Sequence, residues 1–182
     1  MGLRYDYAKS SSIRDALYEY YEVLRLCRVL PSEVVVDVGC GMNWLRKLGF
    51  NVIGIDIAEN SCADVIADAT MLPLRSKSVD IAISVEVVEH LPKERGMEML
   101  KELARVARRC IVISTVNRYT GKHDPRHVHE YSFFELFRMV KQVARIVSWS
   151  FGGYKLRFSR KLQYLLPFWL WCEWFVIAGE PR

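Results

Sequence analysis

The chain lacks a Cys-x-x-Cys pair, a Gly/Ser/Pro-rich linker and an internal repeat, and each absence removes a class of architecture. Its five cysteines (27, 40, 62, 110 and 172) are scattered and odd in number, which argues against both a zinc knuckle and a disulfide framework. Long apolar runs are missing too. The longest candidate, Tyr164 to Ala178, is broken by Pro167 and Glu173 and falls short of the roughly 18 residues that a membrane helix needs, so no membrane insertion is expected. The opening MGLRYDYAKSSS has no apolar core for a signal peptide, and Asp6 stands where a myristoylation motif calls for Ser or Thr; a cytoplasmic protein is expected. Histidine is scarce, with four residues in all.

What remains is a chain of 182 residues, 51% hydrophobic, its apolar residues spread over many short runs. That is enough to bury one core, and a single domain over residues 1–182 is expected. The net charge of +5 is modest. Basic residues gather at Arg105 to Arg109 and Arg157 to Lys161, without the interleaved aromatics of a nucleic-acid recognition module, and read as solvated surface.

The most informative stretch is VVVDVGCGMNWLRKLGFNVIGID, Val34 to Asp56. Three valines and then Asp37-Val-Gly39-Cys-Gly41 read as a buried strand ending in a glycine-built turn, followed by a short helix and a second strand ending in Asp56. Such a βαβ unit suits a nucleotide. The glycines leave the backbone bare where a ligand approaches, and a carboxylate ending the second strand can accept both hydroxyls of a ribose. A dinucleotide fingerprint needs Gly or Ala at the sixth position from Gly39, where Trp44 stands, so a pyrophosphate is disfavoured.

The Asp-x-Gly-x-Gly form, with Asp37 two residues ahead of the first glycine, resembles motif I of the class I S-adenosylmethionine (SAM) methyltransferases. The resemblance covers Val34 to Thr115 most closely. It implies an α/β, Rossmann-like, doubly wound seven-stranded mixed sheet in the order 3-2-1-4-5-7-6 with the seventh strand antiparallel. It also implies SAM as cofactor: Gly39 and Gly41 line the methionine side, Asp56 holds the ribose, Asp68-Ala69 holds the adenine, and Glu86 lies near the methionine end. Further cofactor contacts are expected at Asp37, Cys40, Ile57, Thr70 and Val85. The third glycine usual in the motif is replaced by Asn43, and about one turn of the following helix is missing.

In chain order, Ser12 and Asp15 form a capping box for an N-terminal cap helix over about 12–29, with Ile13, Leu17, Tyr20, Tyr21 and Leu24 at helical spacing. Strands are expected at Glu33 to Val38, Asn51 to Asp56, Val65 to Asp68, Val79 to Ser84, Cys110 to Thr115, Arg145 to Trp149 and Glu173 to Ala178. Helices are expected at Asn43 to Leu48, from Pro92 through Val106, and over Phe133 to Val140 behind a Ser132/Glu135 capping box. Only 11 residues separate Asp56 from Asp68, too few for a strand-connecting helix.

The histidines sort into His90 and the group His123, His127 and His129, beyond the carboxyl ends of the fourth and fifth expected strands, where open α/β sheets bind ligands. If a helical turn begins after Ser84, i, i+3, i+4 spacing puts Glu86, Glu89 and His90 on one face. Two readings stay open. Glu-x-x-Glu-His resembles a motif of small-RNA 2′-O-methyltransferases and ubiquinone-pathway O-methyltransferases, which implies a divalent metal on these residues with His127. The same Glu-His-Leu resembles that of metal-free small-molecule methyltransferases, where it lines the pocket. A hydroxyl acceptor needs a base, and imidazole, with a pKa of about 6.5, suits neutral pH. His127, His90 and Glu89 are the catalytic candidates. The expected activity is methyl transfer to a small molecule, at oxygen, with RNA 2′-O-methylation and a non-catalytic SAM-binding protein as alternatives.

Overall fold

The computed structural model describes residues 13–119, 124–154 and 172–182. Its elements are α1 (Ile13–Cys27), β1 (Val35–Val38), α2 (Trp44–Lys47), β2 (Val52–Asp56), β3 (Val65–Ile66), β4 (Val79–Val85), a 3-10 turn at Val88–His90, α3 (Lys93–Val106), β5 (Ala107–Val116), α4 (Phe133–Val143), β6 (Ala144–Tyr154) and β7 (Cys172–Pro181). They form one seven-stranded sheet in the order β3-β2-β1-β4-β5-β7-β6, with β7 antiparallel to both neighbours. This is the topology that the family resemblance implied.

Strand alternation divides the core into two layers. On β5, Ile111 and Ile113 join Leu100, Leu103 and Leu136 under α3 and α4, whereas Cys110 and Val112 join Tyr20 and Val23 under α1. β1 is buried along its whole length, as a strand flanked by parallel neighbours and covered on both faces should be. The carboxyl ends of β1, β2 and β4 therefore converge on one edge. Ser132 caps α4, its hydroxyl accepting the Glu135 N–H at 3.3 Å.

Several expectations need correction. Of the residues named at helical spacing in the first helix, Tyr21 is exposed, whereas Tyr20 is buried with Val23 and Cys27, and Leu24 packs against them. Asp68 lies beyond β3, which ends at Ile66. Asn43 is left-handed, with φ 50°, so α2 keeps only Trp44–Lys47. The largest departure is a disulfide between Cys27 and Cys110, Cα atoms 6.3 Å apart, where the scattered cysteines had argued against one. The two are 83 residues apart in sequence and meet because α1 packs across the start of β5. Cys40, Cys62 and Cys172 are free. The Ser12 half of the first capping box and His123 lie outside the described residues.

Candidate active site

The turn after β1 is held from behind. Gly39 and Gly41 take φ of 77° and 47°, and the N–H groups of Gly39 and Cys40 both donate to the Ile55 carbonyl, at 2.7 and 3.1 Å. Asp56 closes the turn: Oδ2 accepts the Gly41 N–H and Oδ1 accepts the Ala58 N–H, each at 2.8 Å. The bareness of Gly39 serves packing as well as approach, because a Cβ there would collide with the Val87 side chain. Cys40 and Val85 are buried beside this turn, and Ile57 is exposed at its rim.

Asp37 sits at the back of the turn, fully buried. Its Oδ2 accepts the Tyr20 hydroxyl of α1 at 3.0 Å, and Oδ1 has no hydrogen-bond partner. Burial and the nearby Asp56 charge push its pKa up to about 7, against the lowering effect of the Tyr20 bond.

Asp68 organises the turn after β3. Its Oδ1 accepts the N–H and hydroxyl of Thr70, at 2.8 and 2.7 Å, and its Oδ2 accepts Arg95 at 2.6 Å; Ala69 lies between, half-buried. Burial raises the pKa of Asp68, but the Thr70 bonds and Arg95 outweigh it and hold the carboxyl below its ordinary range.

The exit of β4 carries the acidic residues. Glu86 is left-handed, with φ 54°, and so lies outside the turn formed by Val88–His90. The expected single helical face is therefore broken between Glu86 and Glu89. Glu86 instead meets Glu19 of α1 and Glu89, while Ser114 donates to Glu19 and Thr115 donates to Glu89 Oε2 at 2.9 Å. One oxygen each of Glu86 and Glu89 has no hydrogen-bond partner. Burial first, then neighbouring carboxylates, raises both pKa values well above the ordinary range.

The backbone carbonyl of Glu89 accepts the N–H groups of Val128 and His129, at 2.8 and 3.0 Å, and so docks the histidine loop on the exit of β4. His127 and His90 then meet edge to face, ring centroids 5.1 Å apart. His127 Nδ1 lies 3.1 Å from Glu130 Oε1, and His90 Nδ1 lies 3.1 Å from the Arg126 carbonyl. Burial is the main cause of a lowered pKa at His90, which favours the neutral ring. One ligand atom each of Glu89, His90 and His127 falls within 4.8 Å of the others, a group that could hold a metal ion; Glu86 is not in it. His129 points elsewhere, its Nε2 3.0 Å from Glu135 Oε1.

Sequence reasoning missed Glu19, Tyr20 as a partner of Asp37, Ser114 and Thr115. Glu19 carried a signal in its position beside Tyr20 on the packed side of an amphipathic helix; the two β5 hydroxyls carried none beyond ending an apolar strand.

A family model described as a methyltransferase domain matches residues 36–110, from β1 to the first half of β5. The topology and the glycine turn agree with that match, and together they support a SAM-dependent methyltransferase domain. The chain is 36% identical over 100 residues to the mouse tRNA (carboxymethyluridine(34)-5-O)-methyltransferase ALKBH8, an alignment covering 47% of this chain and 15% of that protein. It is 39% identical over 93 residues to the Arabidopsis thaliana tRNA (carboxymethyluridine(34)-5-O)-methyltransferase, covering 43% of this chain and 22% of the relative. The chain thus spans less than a quarter of either relative. In fold it is similar to a SAM-dependent methyltransferase from Archaeoglobus fulgidus, with a TM-score of 0.74 and 18% identity over 93% of this chain and 95% of that one. Among the described residues, no helix is long and apolar enough to cross a membrane.

Proposed function

We propose that the protein transfers the methyl group of SAM to an oxygen atom of an RNA nucleoside, in the cytoplasm. The observation that carries this reading is the docking of His127 beside Glu89 and His90 at the exit of β4, next to the glycine turn that Val87 packs against. Support for RNA over the small-molecule acceptor expected from the sequence comes from the tRNA substrates named for the curated relatives and from the net charge of +5.

In this reading Asp37, Gly39, Cys40, Gly41, Val85 and Glu86 surround the methionine part of the cofactor. Asp56 and Ile57 flank the ribose, and Asp68, Ala69 and Thr70 meet the adenine. Each Asp56 oxygen accepts one backbone N–H and keeps lone-pair capacity for a ribose hydroxyl. The bound sulfonium supplies an electrophilic methyl group, so the chain's task is to hold the acceptor in line and take its proton. His127 does the latter: with Nδ1 fixed on Glu130, its Nε2 is the nitrogen left to accept a proton. The test is transfer of labelled methyl from SAM into bulk tRNA and, separately, into a metabolite extract. Label in RNA supports the proposal; label in metabolites alone restores the small-molecule acceptor, and none in either leaves a SAM-binding protein.

A second reading, a divalent ion on Glu89, His90 and His127, is favoured by their convergence within 4.8 Å and by the unpartnered Glu89 oxygen. Such an ion would acidify the acceptor hydroxyl. Metal analysis of the protein beside its His127→Ala variant decides it.

A further inference from the structure

A cavity of about 390 Å3 lies at the amino-terminal end of β5, the end of the sheet opposite the glycine turn, and its wall includes Arg25, Cys27, Arg28, Arg109, Cys110 and Glu180. Both disulfide cysteines therefore border an open space although each is only 3% exposed. The charges around it are unequal. Arg25 is paired with Glu22 at 2.7 Å, Arg109 with Glu33 at 2.6 Å, and Glu180 with Arg145. These pairs cancel, and Arg28 has no ion-pair partner among the described residues. Arg28 also holds φ at 48° just past α1, a backbone conformation that glycine adopts at lower cost. The wall thus carries one surplus guanidinium next to a disulfide.

A positive charge there has two effects on disulfide chemistry. It concentrates anionic reagents in the cavity, and it stabilises the thiolate that leaves when the bond opens. We infer that Cys27–Cys110 is a site of thiol–disulfide exchange selective for low-molecular-weight thiols that carry carboxylate or phosphate groups. The incoming thiolate forms a new S–S bond with one cysteine while the Cys27–Cys110 bond breaks. The displaced cysteine leaves with the electron pair and takes a proton from water. A second thiol then attacks the mixed disulfide, frees the other cysteine and departs as the small-molecule disulfide, so that two thiols are oxidised and one protein disulfide is reduced. In a reducing compartment such a bond turns over with the thiol pool. It also matters to the candidate active site, because Cys27 lies two turns along α1 from Tyr20, which holds Asp37.

The experiment uses the full chain purified without reductant. Loss of the disulfide and the appearance of adducts at Cys27 or Cys110 are followed by mass spectrometry during exposure to glutathione, which is anionic, or to cysteamine, which is cationic. Each rate is divided by that thiol's rate with an uncharged small disulfide. The expected result is a preference for glutathione of about three- to tenfold at low salt, which fades in 0.5 M salt and in Arg28→Gln. Equal normalised rates at low salt, a preference that survives both salt and Arg28→Gln, or a protein whose Cys27 and Cys110 are free thiols forming no adduct would each overturn the inference. The salt series on the unmodified protein keeps the test decisive if Arg28→Gln fails to fold.

Discussion

The Gly41 N–H donates to Asp56 Oδ2 at 2.8 Å, so the residue offered to the ribose is also the clasp of the glycine turn. Asp56→Ala removes the acceptor for Gly41 and for Ala58 together. Two unpaired N–H groups cost about 2 to 4 kcal/mol of stability, and loss of the ribose contact costs about ten- to hundredfold in affinity for S-adenosylhomocysteine. Urea unfolding and calorimetric titration read the two separately. Weakened stability with unchanged affinity would confine Asp56 to the clasp.

Gly39 and Val87 make a second such pair. Gly39→Ala both meets a positive φ and drives a methyl into Val87, which predicts a loss of about 2 to 3 kcal/mol. Adding Val87→Ala opens the space but leaves the strained backbone. The double variant should recover part of the loss, and a denaturation cycle giving strict additivity would contradict the contact.

Asp37 gives the fold a pH dependence of defined sign. Its pKa is about 7 in the folded protein, against about 3.9 in an unfolded chain. Between these values the folded state keeps a proton that the unfolded chain has lost. The stability this supplies is complete below about pH 4 and is lost as pH rises through 7. Asp37→Asn should therefore gain on the parent protein as pH is raised from 4.5 to 8, by a few kcal/mol in all. Guanidinium midpoints that shift in parallel for both proteins over that range would be the contrary result.

The disulfide closes 83 residues of chain, for which the loop-entropy estimate is about 4 to 5 kcal/mol. The unfolded, unreduced chain should titrate three thiols, Cys40, Cys62 and Cys172, and the reduced chain five. Reduction, or Cys27→Ser with Cys110→Ser, should lower the melting temperature by several degrees; identical melting with and without reductant would show that the bond adds nothing.

Which features were readable in the sequence follows from how far apart their parts lie. Val34 to Asp56 declares its strands and turn because the Val run, the glycines and the acid all act within one βαβ unit, and Ser132 announces its cap because its partner, Glu135, is three residues on. The strand order came from resemblance, since nothing local orders strands. The Cys27–Cys110 bond and the Tyr20–Asp37 contact join α1 to strands far along the chain, and no local pattern records which helix face will cover which strand. Glu86 was misplaced for a different reason. Helical spacing assumed a regular turn directly after β4, whereas the chain passes through a left-handed residue first and aims Glu86 at Glu19 rather than along the face of Glu89 and His90.

Among the described histidines, His127 and His90 meet at the exit of β4, and His127 Nδ1 lies 3.1 Å from the Glu130 carboxylate, which leaves its Nε2 for the proton. If His127 takes the proton, His127→Gln lowers kcat for methyl transfer by about 10²- to 10⁴-fold and leaves S-adenosylhomocysteine affinity nearly unchanged. Glu130 acts through His127, so Glu130→Ala should cost less, about 10- to 100-fold, and Glu130→Gln less again because its amide oxygen can still accept the Nδ1 proton. His129→Gln is the control, since that ring is bound to Glu135 and points away. A kcat that survives His127→Gln but collapses in His90→Gln would move the base to His90, and equal losses in both, accompanied by loss of bound metal, would replace the base with an ion.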